Sequence, residues 1–181
     1  MIGATLASPA LIILRGLPFS GKSTLGRVLS NALDTVHLEI DQIIVSQGGS
    51  FTSGPQSNTV WIAAYKEGHR QLDELLAAGR SVVWDAVSFR WSHREKLRRM
   101  AQQHGARTHL IWLDIPLAVI TRQRDANRLS RTRGDVADAD FRMVADGFQP
   151  PRAEEGAVRY DPTAVSLPTL IDRLDLLTAS K

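Results

Sequence analysis

The run of eight residues from Gly16 to Ser23 carries the clearest chemical signal in this sequence of 181 residues. It fits the pattern G-x-x-x-x-G-K-[ST], in which glycines let the backbone curl around an anion. Loop N–H groups and the positive end of a following helix then face the phosphates of a nucleoside triphosphate. The pattern predicts that Lys22 contacts the β- and γ-phosphates and that Ser23 offers its hydroxyl to Mg²⁺.

The sequence on either side of this loop supports the same interpretation. The apolar residues 11–14 predict a buried strand before it, and residues 22–33 predict a helix with one apolar face. The alternative is an ordinary strand–helix turn with a chance Lys-Ser. The residues expected to bind nucleotide in the loop are Gly16, Leu17, Pro18, Phe19, Ser20, Gly21, Lys22, Ser23 and Thr24.

Three further predicted strands end in an acid, and two of these acids are catalytic candidates. Asp41 is predicted to be the general base that orients an acceptor hydroxyl; alternatively it caps a short helix over residues 42–46. Asp85 follows an apolar strand and is predicted to hold Mg²⁺ through water or to contact the acceptor; alternatively it is a turn residue. Asp114 is expected to cap the helix that Pro116 opens.

Arginines are concentrated in the segment 121–135, which is predicted to belong to a mobile lid over about 121–137. Guanidinium groups of a lid would neutralise phosphate charge, and we expect Arg128 and Arg122 to do so; a solvated surface is the alternative. The spacing places Arg124, Arg128 and Arg131 on one helix face. Two more arginines beyond Asp85 are candidates for holding an anionic acceptor: Arg90 and Arg94.

The order of predicted elements favours an α/β fold in one domain over residues 1–181. Strands alternate with helices, which indicates a parallel sheet covered by helices on both faces. Ligands of such sheets bind at the carboxyl ends of the strands, where the loop and the three acids lie. The stretch 47–58 is predicted to be a flexible loop, and residues 161–163 are expected near the base of the nucleotide.

Composition excludes several classes of protein. The chain has no cysteine, so it has neither a disulfide framework nor a thiolate metal site. It shows no membrane-length apolar run and no signal-peptide pattern, and we expect a cytoplasmic protein. A net charge of +3 is too small to require a nucleic-acid partner. No guanine-reading Asn-Lys-x-Asp segment occurs, which favours ATP as the nucleotide.

The loop Gly16–Thr24 resembles the GLPGSGKST loop of the AAA-type "predicted kinase" family, which neighbours polynucleotide 5′-kinases, chloramphenicol phosphotransferase and zeta-toxin kinases. Residues 83–87, 113–116, 134–139 and 148–151 are also similar to segments of that family, so the resemblance spans nearly the whole chain. Phe19 stands where the family has a small residue, and Val87 where threonine is common. The resemblance implies a three-layer P-loop fold with strand order 2-3-1-4-5, Mg²⁺ dependence and ATP-dependent phosphorylation of a hydroxyl.

The functional expectation is therefore an ATP-dependent kinase that acts on a small-molecule or nucleotide-like acceptor. A polynucleotide 5′-hydroxyl kinase is an alternative, although the modest charge does not favour nucleic acid. Another is a nucleotide-dependent switch that hydrolyses ATP slowly and acts through a partner. No feature of the sequence indicates an obligate protein partner.

Overall fold

The fold is built on a five-stranded parallel sheet. A computed structural model describes residues 6, 8–49, 58–130 and 134–174 of the chain. The strand order is β2-β3-β1-β4-β5, which confirms the order that the family resemblance implied. The strands are β1 (Ala10–Arg15), β2 (Val36–Glu39), β3 (Val82–Asp85), β4 (Arg107–Leu113) and β5 (Val158–Tyr160).

Seven α-helices surround the sheet in the described part of the chain, and all of them connect or follow strands in the order expected from the sequence. They are α1 (Lys22–Leu33), α2 (Ile40–Ser46), α3 (Asn58–Ala77), α4 (Trp91–Gln103), α5 (Leu117–Ser130), α6 (Asp138–Asp146) and α7 (Leu167–Arg173). A short 3-10 turn covers Ala153–Glu155. None of the described helices combines the length and the apolar character needed to cross a membrane.

Two apolar cores cover the two faces of the sheet, because successive side chains of each strand point to opposite sides. Leu11 and Ile13 of β1 pack with α3 and α4, whereas Ile12 and Leu14 pack with α1 and α7. Strand β1 is buried along its whole length, as the central strand of a covered parallel sheet must be. This double burial fixes the carboxyl ends of β1, β2 and β3 beside one another.

The boundaries differ from expectation at one functionally important place. Strand β2 ends at Glu39, and Ile40 already begins α2, so the predicted end of the strand at Asp41 is wrong. Ile40 and Ile43 are buried in the core beneath α3, and this burial draws the chain into a helix earlier than its β-branched residues suggest. Most of the loop predicted over 47–58 lies outside the described residues.

Candidate active site

The phosphate loop joins β1 to α1 and holds its shape through two residues with positive φ. Gly21 has a φ of 93° and Phe19 a φ of 65°, so the backbone turns at both points toward the start of α1. The Lys22 ammonium donates to the carbonyl oxygens of Gly16 at 3.0 Å and Leu17 at 2.9 Å. Its positive charge therefore lies within the curve of the loop, where a phosphate group would bind.

Phe19 occupies an unfavourable left-handed conformation for an aromatic residue, and tertiary packing compensates for it. The ring is buried against Ile120 of α5 and Phe141 of α6. The phosphate loop is thereby joined to α5, which contains part of the predicted lid, and to α6, which follows the lid. This contact explains why a large side chain stands where the resembling family has a small one.

A cavity of about 530 Å³ opens beside the loop on the side of α1. Apolar atoms of Val28 and Tyr160 form part of its wall, and the amide side chains of Gln123 and Asn127 come from one face of α5. Such a mixture of apolar walls and a few polar groups suits the base of a nucleotide. Pro162 also lines the cavity, and the proximity of residues 161–163 to the base stays a prediction.

Asp41 lies in the first turn of α2, and the cap residue of that helix is Glu39. The alternative in which Asp41 caps the helix is therefore wrong. Burial raises the pKa of the Tyr65 phenol on α3, and the negative charges of Asp41 and Asp85 raise it further. Three groups from α2, α3 and β3 thus share one electrostatic environment at the carboxyl edge of the sheet.

Asp85 is almost completely buried, and two residues of β2 lie against it. The His37 Nε2 atom is 3.1 Å from Asp85 Oδ2, and Glu39 stands opposite Asp85 in the strand register. The His37 ring packs on Gly26 of α1, where a Cβ atom would collide with it. Sequence reasoning missed His37 and Glu39, because the pairing of β2 with β3 is a tertiary contact.

Ser23 belongs to the same neighbourhood. It precedes Gly26 by three residues on α1, so the two lie on one side of the helix about 4.5 Å apart along its axis. The Ser23 hydroxyl and the acids at the ends of β2 and β3 are oxygen donors of the kind that Mg²⁺ binds. The residues present therefore fit a divalent cation beside the phosphate loop.

Arg94 has a structural role, and the expectation that it holds an anionic acceptor is not supported. Its side chain is only 2% exposed. Nε and Nη2 donate to the Glu155 carboxylate at 2.6 and 2.8 Å, and Nη1 donates to the Ser88 carbonyl at 3.1 Å. The guanidinium group is occupied by contacts that join α4 to the 3-10 turn.

Arg15, at the end of β1, is a second buried arginine near the loop that sequence reasoning missed. Its guanidinium lies 3.7 Å from the Phe148 ring centroid and 5.1 Å from that of Trp112, and it donates to the carbonyl of Gln149. Burial, followed by the nearby positive charge of Arg94, lowers the pKa of Arg15 to about 10. Arg15 therefore anchors the segment after α6 to the strand that carries the phosphate loop.

Two arginines of the predicted lid are held by acids at its end and at the start of α6. Arg124 Nη2 and Arg128 Nη2 both donate to Asp138 Oδ1 at 2.6 Å, and Arg128 Nε donates to Asp135 at 3.0 Å. Arg124 and Arg128 thus share a helix face as expected. Arg122 is exposed on α5. Phosphate binding by Arg122 and Arg128 stays a prediction, and Arg131 lies outside the described residues.

Asp114 does not show the capping role expected of it. Its carboxylate is paired with Arg159 of β5, and α5 begins only at Leu117. The interaction joins the ends of two adjacent strands. Because Asp114 lies on the β4–β5 side of the sheet, Asp41 and Asp85 are the two predicted catalytic acids on the β2–β3 side.

Comparison with solved structures places this fold among kinases. A gluconokinase from Sinorhizobium meliloti 1021 shares 21% identity over 92% of this chain and 90% of its own, with a TM-score of 0.60. The APS kinase CysC of Mycobacterium tuberculosis, solved with AMPPNP and APS, shares 19% identity over 93% and 98%, with a TM-score of 0.61. A chain of the Pnkp1/Rnl/Hen1 RNA repair complex shares 21% identity over 77% and 44%, with a TM-score of 0.65.

The protein thus has a P-loop kinase-like fold. The family described as an AAA domain matches residues 11–151, and the chain belongs to that family. No curated protein sequence matches the chain at a significant level.

Proposed function

We propose that the protein is an ATP-dependent kinase that transfers the γ-phosphoryl group to a hydroxyl of a small-molecule acceptor. The observation that carries this proposal is the convergence of three parts at one sheet edge. The Lys22 ammonium lies within the phosphate loop, Asp41 lies in the first turn of the helix that follows β2, and Asp85 ends β3. Phosphoryl transfer requires this combination of a phosphate cradle, a metal site and a group that orients the nucleophile.

The phosphate loop performs the electrostatic part of the proposed reaction. Its N–H groups and the start of α1 bind the phosphates, and Lys22 exchanges its loop carbonyls for phosphate oxygens. Ser23 and Asp85 hold Mg²⁺, which supplies charge neutralisation at the phosphate oxygens when bound. The cavity lined by Gln123 and Asn127 holds the base.

Asp41 performs the acid–base part. Its carboxylate orients the acceptor hydroxyl and takes its proton, while the hydroxyl oxygen bonds to the γ-phosphorus. The bond between that phosphorus and the β,γ-bridging oxygen breaks, and ADP leaves. Arg122 and Arg128 of the lid neutralise the charge of the transferred group and exclude water.

The decisive experiment measures ATP turnover with Mg²⁺ against a panel of hydroxyl acceptors. Sugars, nucleosides, aminoglycosides, chloramphenicol and 5′-hydroxyl oligonucleotides form the panel, and Lys22→Ala is the control variant. We expect one acceptor class to stimulate turnover and to yield a phosphorylated product. Lys22→Ala is expected to lower the rate about 10²- to 10³-fold, because it removes one preorganised charge from the phosphates. Slow turnover that no acceptor stimulates would favour a nucleotide-dependent switch instead.

The role of Asp41 is tested by Asp41→Asn. The amide keeps the shape of the side chain but cannot take the proton, so the transfer rate is expected to fall about 10²- to 10⁴-fold while ATP affinity is retained. The matched control is Asp172→Asn, on the exposed face of α7, which is expected to change neither quantity. Full transfer activity in Asp41→Asn would contradict the assignment of the base.

A polynucleotide 5′-hydroxyl end is the second candidate acceptor, and one surface feature favours it. Arg90 lies 5.2 Å from the Phe89 ring centroid, and Arg152 lies 4.1 Å from that of Trp91. These pairs offer cations and aromatic rings near the end of β3, the combination that single strands bind. Oligonucleotide phosphorylation with a steep salt dependence would identify this acceptor.

A further inference from the structure

The group of His37, Glu39 and Asp85 differs from an ordinary magnesium site in its donor atoms. It offers one imidazole nitrogen and two carboxylates, and their ligand atoms all lie within 4.8 Å of one another. In the described part of the chain it is the only group of three or more such side chains that converges in this way. We call these three residues the β2–β3 cluster.

The backbone fixes the position of all three donors. His37 and Glu39 alternate with Leu38 on β2, so both point to the face of the sheet that α1 covers. Asp85 points to the same face, because Val83, two residues earlier, packs in the core beneath α1. Gly26 of α1 leaves the space that the His37 ring fills. The cluster is therefore held by three rigid elements.

The distance between two of the three donors suits direct coordination. Two ligands at right angles on an ion 2.0–2.2 Å away are about 3 Å apart. The His37 Nε2 and Asp85 Oδ2 atoms are separated by 3.1 Å. An ion between them replaces the hydrogen-bonded proton, and the Nδ1 atom of His37 then carries the ring proton.

The charge of the cluster also calls for a cation. Glu39 and Asp85 stand directly opposite each other on neighbouring strands, an arrangement that is unfavourable for two like charges. The Asp85 side chain is only 3% exposed. Within the described ranges, no lysine or arginine forms an ion pair with either carboxylate, and the His37 ring is the hydrogen-bonding partner of Asp85.

We propose that the β2–β3 cluster binds a first-row transition-metal dication, for which Mn²⁺ is the probe, and prefers it to Mg²⁺. Imidazole nitrogen is a good ligand for transition metals, whereas Mg²⁺ takes oxygen ligands almost exclusively. His37 is thus the residue that sets the metal preference of this edge of the sheet. Only the role of the metal in phosphoryl transfer rests on the proposed kinase function. The binding of the metal does not, since it requires no nucleotide.

The test titrates Mn²⁺ into the full chain without nucleotide and measures free Mn²⁺ by electron paramagnetic resonance, with Mg²⁺ as competitor. We expect one Mn²⁺ per chain, bound at least tenfold more tightly than Mg²⁺. A spin-echo measurement on the bound Mn²⁺ is expected to show a directly coordinated ¹⁴N nucleus. Absence of nucleotide-free Mn²⁺ binding, or binding without the nitrogen signal, overturns the proposal whether or not the protein transfers phosphate.

Variants separate coordination from structural support. His37→Gln can still donate to Asp85, and it is expected to weaken Mn²⁺ binding at least tenfold, to leave Mg²⁺ binding nearly unchanged and to remove the nitrogen signal. The control is His104→Gln, because His104 forms a similar pair with Asp73 at 2.8 Å but belongs to no three-donor group. Circular dichroism verifies that each variant is folded. Unchanged Mn²⁺ affinity in folded His37→Gln would overturn the assignment. If His37→Gln does not fold, the Mn²⁺ affinities of Asp85→Asn and Glu39→Gln are measured instead. Both variants are expected to lose Mn²⁺ binding, and retained binding would overturn the assignment.

Discussion

Two arginine clusters in this protein use the same chemistry at very different depths. In the first, which we call the buried cluster, Arg94 binds Glu155 and the Ser88 carbonyl, and the side chains of Arg94 and Glu155 are 2% and 8% exposed. In the second, the lid cluster, Arg124 and Arg128 bind Asp135 and Asp138. The Arg124 side chain is 10% exposed, but the Arg128 and Asp138 side chains are 38% and 60% exposed. Both arginine groups were candidates for holding an anion.

The difference in depth separates a structural role from a role in binding. A buried guanidinium that loses its carboxylate leaves an uncompensated charge, so the Arg94 pair cannot open without a large cost. An exposed pair contributes little to stability, because water replaces either partner. Arg128 can therefore exchange its aspartates for phosphate oxygens, whereas Arg94 stays in place and fixes the loop that follows β3.

The largest effect is expected from Arg94→Met. The free energy of unfolding should fall by about 3–5 kcal/mol, because Glu155 is left buried without its partner. Urea denaturation measures this loss. The control is Arg98→Met, since Arg98 is exposed and pairs with Glu95 on the same helix, and its effect should be far smaller. Equal losses in the two variants would remove the distinction between buried and exposed pairs.

A smaller effect, on the reaction and not on folding, is expected from Arg128→Gln. The proposed transfer rate should fall about tenfold or more, because one charged group no longer reaches the transferred phosphate. The urea midpoint should change little, since the pair is exposed. Arg142→Gln, at an exposed position of α6, is the control for the rate. Wild-type activity in Arg128→Gln would place the phosphate contact on another lid arginine.

The smallest expected effect is a loss of folding stability at acid pH. Burial raises the pKa of Glu155, but hydrogen bonds from Arg94 and the backbone of Arg152 outweigh it, so the net shift is below the ordinary value of 4.5. A lowered pKa in the folded state stabilises the protein above pH 4.5, and this contribution is lost as the pH falls through the folded-state pKa. Urea unfolding between pH 6 and pH 3 should show this loss. Glu155→Gln should flatten the dependence, and an unchanged slope would show that other acids produce it.

The sequence was sufficient for the parts of the site that depend on local pattern. The phosphate loop is eight consecutive residues, and the helix after it has the predicted bounds, residues 22–33. In this loop and helix, backbone freedom and apolar period both act within a few residues, so one segment contains its own evidence.

The parts that sequence reasoning missed depend on contacts between distant segments. Glu155 lies 61 residues from Arg94, and His37 lies 48 residues from Asp85. No periodicity within one element shows that such side chains meet. The start of α2 at Ile40 has the same origin, because burial beneath α3 overrides the local preference for a strand.

By itself, the sequence determined the class of fold, the order of the sheet through its family resemblance, and the loop that is expected to bind phosphate. The tertiary structure alone decided which charged groups are free to act. Every arginine has the same charge in the sequence, but only packing determines whether it is surrounded by water or by protein. Since desolvation sets the energetic cost of breaking an ion pair, burial distinguishes the arginine that supports the site from those able to bind a ligand.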